Sequence, residues 1–106
     1  MTNSGEILTE KGYLKRFSDW NLEIAKMLAE REGLVLTEQH LEILRVLRGF
    51  YQKYQRTPTM RALSKEISLV LNAEKSSSLY LFELFPNGPI QQGCKIAGLP
   101  RPAHCL

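Results

Sequence analysis

Both cysteines of this 106-residue chain lie in its last segment, GCKIAGLPRPAHCL, as Cys94 and as the penultimate residue Cys105. A disulfide framework would spread its cysteines through the sequence, and packing gains nothing from a thiol at a chain end. What a penultimate thiol can do is nucleophilic sulfur chemistry, because the thiolate attacks and is expelled in exchange reactions. Lys95, Arg101 and His104 favour the thiolate of Cys105, and the carboxylate of Leu106 opposes it. Cys94 reads in two ways, as a second redox thiol or as a small buried apolar residue. Ten residues stand between the two cysteines. Eleven links at roughly 3.3–3.6 Å give a reach of about 36–40 Å, so the tail can enter another protein. It can also fold back, since a disulfide needs Cα atoms only about 4.4–6.8 Å apart. Gly98, Pro100 and Pro102 narrow the open ensemble between those extremes.

Other chemistries find little support. No HExxH, no CxxC pair, no glycine-rich phosphate loop and no nucleophile elbow appears, so the sequence points to no metal and no bound cofactor. His40, in the first turn of a helix, is expected to face solvent. No segment approaches the roughly 20 apolar residues of a membrane span, and the start has no signal-peptide pattern. A cytoplasmic location with reduced thiols is the expectation.

The elements that must position the tail read as mainly α (an α+β chain with a small N-terminal β-hairpin). Residues 1–98 form one helical domain and residues 99–106 a flexible C-terminal arm. Two apolar pieces around Glu10-Lys11-Gly12 predict the hairpin. A first helix is capped by Ser18 or Asp19, carries Leu22, Ala25, Leu28 and Ala29, and stops at Gly33. A second follows Thr37 through Gln55, with the stripe Leu44, Leu47, Phe50, Tyr51 and Tyr54. Thr57-Pro58 opens a third through Leu71, with Met60, Leu63, Ile67, Val70 and Leu71 on its buried side. Ser76–Ser78 cap a fourth, and Pro89 starts a short fifth that Gly98 ends. Beyond Gly98 the two prolines enforce extended backbone, and little apolar mass is present to anchor it.

The net charge of +3 is uneven. Between Glu42 and Glu66 stand Arg45, Arg48, Lys53, Arg56, Arg61 and Lys65 with no acid among them, and none follows Glu83. The second and third helices thus have the texture of a helix-turn-helix DNA reader, but Thr-Pro replaces a tight glycine turn and the basic bias is moderate, so a core hairpin with a solvated basic face is the expectation.

The blocks GYL at 12–14, Trp20, FYQKYQRTPTMRALSK at 50–65, YLFELFPNGP at 80–89 and CKIAGLPRPAHCL at 94–106 make the chain similar to the DsrC/TusE family of sulfur-relay proteins. It departs from the family pattern at Leu41 (usually tryptophan), at Ser76-Ser77 (usually Gly-Asn) and at Leu79 (usually lysine or arginine). The resemblance implies a sulfurtransferase whose Cys105 carries a persulfide from an upstream TusBCD/DsrEFH-like complex. The acceptor is then the tRNA 2-thiouridine synthase, or sulfite reductase in the DsrC branch, where Cys94 would join Cys105 in a disulfide or trisulfide.

Overall fold

A computed structural model describes residues 7–103. Among them the chain forms five α-helices: α1 (Leu22–Arg31), α2 (Glu38–Tyr54), α3 (Met60–Val70), α4 (Ser78–Leu84) and α5 (Pro89–Ile96). Two 3-10 turns, Phe17–Asp19 and Glu74–Ser76, lead into α1 and α4. The expected hairpin reduces to one antiparallel bridge, Leu8 to Leu14. Thr9 N–H donates to the Tyr13 carbonyl at 2.7 Å, and Gly12 takes the turn at φ 86°.

Helix starts follow the side chains able to accept from orphan N–H groups. Thr37 accepts from His40 N–H, as expected, and Ser77 from Tyr80 N–H. Two starts move. The first helix begins at Asn21, whose Oδ1 accepts from Ile24 N–H at 2.9 Å, because Ser18 and Asp19 lie at a separate 3-10 turn. The third begins at Thr59, which accepts from Ala62 N–H, two residues beyond the expected cap Thr57.

Helix α2 is the central element: α3 and α5 pack on it, and α1 packs on α5. Leu28, Ile43, Leu44, Leu47, Leu63, Ile67, Leu81, Phe85 and Ile96 fill the core. Leu22 and Val70, assigned to buried stripes from their spacing, lie at helix ends and are 45% and 58% exposed.

His40 also differs from expectation, being buried and bonded at both ring nitrogens. Thr37 N–H donates to Nδ1 at 3.1 Å, which leaves Nε2–H to donate to the Leu84 carbonyl at 2.7 Å. Its ring meets Phe85 edge-on at 5.2 Å between centroids. A polar side chain in a first turn can face inward when the neighbouring helix end, here that of α4, needs a donor.

Candidate functional site

At the C-terminal end of α5 every carbonyl from Gly93 to Ala97 has a donor. Ala97 N–H bonds the Gly93 carbonyl at 2.8 Å. Leu99 N–H bonds that of Cys94 at 3.0 Å, and Gly98 N–H that of Lys95 at 3.3 Å. These last two bonds, with Gly98 at φ 74°, make a Schellman termination. The remaining carbonyls are met by side chains distant in sequence: Trp20 Nε1–H bonds Ile96 at 2.9 Å, and Arg48 Nη1–H bonds Ala97 at 2.9 Å.

Arg48 is the centre of this clamp. Its other branch, Nη2, donates to the Phe17 carbonyl at 2.9 Å. The guanidinium lies 3.7 Å from the Phe17 ring centroid and 4.5 Å from that of Trp20. Burial lowers its pKa from the usual guanidinium value, but an arginine remains a cation in proteins. One member of the central basic run is thereby committed to a half-buried structural site. The spacing missed Arg48, although a signal existed: a guanidinium four residues after Leu44 and three before Tyr51 interrupts the apolar stripe.

Gly98 sits under this clamp. A Cβ there would fall 2.5 Å from Trp20 Cδ1 and 3.0 Å from Leu14 Cδ2. Leu99 is fully buried in the core cluster, Pro100 and Arg101 are exposed, Pro102 is buried again and Ala103 is exposed. The apolar anchor that the sequence offered no sign of is therefore Leu99, with Pro102 beyond it. The reach of the tail shortens accordingly: from a seated Leu99, six links span about 20–22 Å rather than the full 36–40 Å.

Pro102 and Ala103 line a cleft of about 270 Å³ with Thr57, Pro58, Thr59, Met60 and Ile90. Ala103 also lines an adjoining cleft of about 330 Å³ with Phe50, Arg56 and Ala62. Cys105 and His104 lie outside the described residues.

Cys94 is fully buried, and desolvation pushes its thiol up to about 12. A thiol in that state is neither nucleophile nor good leaving group. Of the two readings of Cys94, its surroundings match the small apolar core residue. Lys95 is also committed elsewhere, pairing with Glu32 at 3.3 Å and lying 5.3 Å from the Tyr13 ring centroid. Arg101 is exposed and has no ion pair among the described residues. Among those residues no cluster of three or more potential metal-ligating His, Cys, Asp or Glu occurs, and no helix is long and apolar enough to cross a membrane.

The profile of a family described as DsrC like protein matches residues 2–106. A Sulfurtransferase TusE of Buchnera aphidicola subsp. Schizaphis graminum is 48% identical over 96 residues, 91% of this chain and 84% of that protein. The solution structure of DsrC from Allochromatium vinosum superposes with a TM-score of 0.84 at 42% identity, over 93% of this chain and 88% of that one. The oxidized gamma-subunit of dissimilatory sulfite reductase from Archaeoglobus fulgidus gives 0.80 at 36% identity, over 93% and 90%. With the profile spanning nearly the whole sequence and the fold shared with solved relatives, this chain belongs to the DsrC family.

Proposed function

We propose that the protein is a sulfurtransferase of a cytoplasmic relay, that it carries sulfur as a persulfide on Cys105, and that the sulfur travels toward 2-thiolation of the tRNA wobble uridine. The observation that carries this reading is the clamp on the root of the segment that leads to Cys105. Arg48, Trp20 and Leu99 hold the base of the tail, and the sequence runs on past Ala103 to a penultimate cysteine. Similarity to proteins named Sulfurtransferase TusE favours the tRNA branch.

In the proposed chemistry the Cys105 thiolate attacks the terminal sulfur of a donor Cys–S–SH. A bond from Cys105 to that sulfur forms, the donor S–S bond breaks, and the donor thiolate leaves. The proton stays with the transferred sulfur, and no net oxidation occurs. The reverse roles unload it onto an acceptor cysteine. The donor is a TusBCD/DsrEFH-like complex and the acceptor the tRNA 2-thiouridine synthase.

Intact-protein mass spectrometry tests this after incubation with a cysteine desulfurase, cysteine and the donor complex. We expect a gain of one sulfur atom in the unaltered chain and in Cys94→Ser, and none in Cys105→Ser. Full loading of Cys105→Ser would sink the mechanism. A loss of two hydrogens that requires both cysteines would move the protein to the sulfite-reductase branch.

A further inference from the structure

Gly49 lies inside α2 and is exposed. Glycine in a helix interior destabilises it relative to alanine, because the bare backbone loses more freedom on folding. A positive φ or a crowding neighbour normally explains such a glycine. Neither applies here. Among the described residues the glycines at positive φ are Gly12, Gly33, Gly88 and Gly98, and a Cβ on Gly49 would meet nothing within 4 Å. Packing inside the chain therefore gives no reason for the missing side chain.

That bare backbone lines a cleft of about 400 Å³ between α2 and α3. Val46 of α2, Val70 of α3 and Leu71, the cap residue of α3, make the rest of its apolar lining. Its walls carry opposite charges, Arg45 on the α2 side and Glu66 on the α3 side. Neither forms an ion pair among the described residues, and Glu66 reaches Lys53 only through space. Glu42, also at the cleft, is held by Lys75 at 2.6 Å. We propose that this groove is the docking site for one amphipathic helix of another protein. That helix lays an apolar ridge over Gly49, turns a carboxylate to Arg45 and turns a lysine or arginine to Glu66. Such docking needs neither cysteine.

A helix is the shape that uses a missing side chain. Packed helices lie about 8–10 Å apart between axes, with the distance set by the side chains at the contact. Gly49 permits the short end of that range, and a ridge repeating every three or four residues then fills the space beside Val46, Val70 and Leu71. The opposed walls fix which flank of the ridge is acidic. A second copy of this chain does not fit. Seven residues line the groove, whereas a stable interface between two copies takes about 20–30 a side. Among the described residues only α4 exposes large apolar side chains three or four apart, Leu79 and Phe82, and α4 holds no cation to meet Glu66. The stretches outside residues 7–103, six residues and three, are shorter than two helical turns. Nucleic acid is opposed by Glu66, which repels phosphate and has no cation paired to it.

The probe is a capped peptide of about 18 residues, long enough to be helical on an alanine background. It carries a leucine ridge with glutamates along one flank and lysines along the other, and a comparison peptide has lysines on both. Each is titrated onto the full chain at low salt while amide chemical shifts are followed by NMR. We expect the mixed peptide to give saturable shifts at Val46, Gly49 and Val70 and to bind more tightly than the all-lysine peptide. Arg45→Glu should weaken the mixed peptide about tenfold, and Arg45→Glu/Glu66→Lys should restore it, because the walls again differ in sign and the helix can lie the other way round. Gly49→Ala should raise the melting temperature by roughly 4–8 °C, yet weaken the mixed peptide about tenfold. A glycine with a purely structural role cannot give a chain that is more stable and binds less. Equal affinity in Gly49→Ala, or no saturable shift at those three amides, would overturn the proposal. So would the same amides shifting with protein concentration alone, which would give the face to a second copy, or shifting with tRNA, which would give it to RNA.

Discussion

Helices α1 and α5 end in the same way. In each, a glycine at φ 74° follows the cap residue, and the two N–H groups after the cap return to carbonyls inside the helix. At α1 the bonds are Gly33 N–H to Glu30 at 3.0 Å and Leu34 N–H to Ala29 at 2.8 Å. At α5 they are Gly98 to Lys95 and Leu99 to Cys94. The surroundings differ. A Cβ on Gly33 would meet nothing within 4 Å, whereas one on Gly98 would strike Trp20 and Leu14. The chain after α1 is merely turned, but the chain after α5 is turned and gripped. Local backbone chemistry suffices to stop a helix. Setting the direction in which the chain leaves a helix takes side chains from elsewhere in the fold.

The largest expected effect comes from placing alanine at both glycines in turn. Each substitution forces an L residue into the left-handed region, roughly 1–2 kcal/mol, partly offset by a less flexible unfolded chain. At Gly98 the overlap with Trp20 adds roughly 1–3 kcal/mol of overpacking. Gly98→Ala should therefore cost about 3 kcal/mol and Gly33→Ala under about 1 kcal/mol, read from urea midpoints at constant slope. Equal costs would mean that Trp20 yields freely and that the grip is only apparent.

Second in size is Arg48→Met, which keeps much of the packing and removes the fork. The carbonyls of Ala97 and Phe17 then lose their charged donor. With partial rehydration this should cost about 2 kcal/mol. Arg48→Lys should recover little of it, because an ammonium cannot bridge two carbonyls in the planar geometry of a guanidinium. Full rescue by lysine would reduce the clamp to a generic cation at a helix C-terminus.

The comparison also marks what a sequence reader can and cannot reach. Gly33 and Gly98 were both legible as stops, as were the five helices, the cap at Thr37 and a cap within Ser76–Ser78, because these depend on a few adjacent residues. The family likeness was legible for the same reason, in short blocks such as YLFELFPNGP. The fork of Arg48 spans residues 17, 48 and 97, and the inward turn of His40 is set by the Leu84 carbonyl 44 residues away. Neither partner is implied by spacing. The seat of Leu99 was hidden in plainer fashion: one leucine between Gly98 and Pro100 has no periodicity to reveal its burial.

The smallest effect at neutral pH, and the one most specific to chemistry, concerns the residue three positions before each helix cap. It is Ala29 in α1 and Cys94 in α5, both buried. Cys94→Ala copies the α1 solution into α5, losing only a sulfur atom's packing, so the expected cost near pH 7 is about 1 kcal/mol. High pH should change the comparison. Burial pushes the native thiol up to about 12 from an ordinary 9.0, so between those limits the unfolded chain gives up a proton that the folded chain keeps. Stability contributed by the protonated native thiol is complete below the lower limit and drains away as pH rises through the upper one, at no more than about 1.4 kcal/mol per pH unit. Cys94→Ala should therefore become relatively more stable across that window, measured as the difference in urea midpoints between the two chains. A flat difference would mean that Cys94 opens to solvent without global unfolding. The thiol would then be available to Cys105 after all, and the two-cysteine chemistry of the sulfite-reductase branch would regain its second partner.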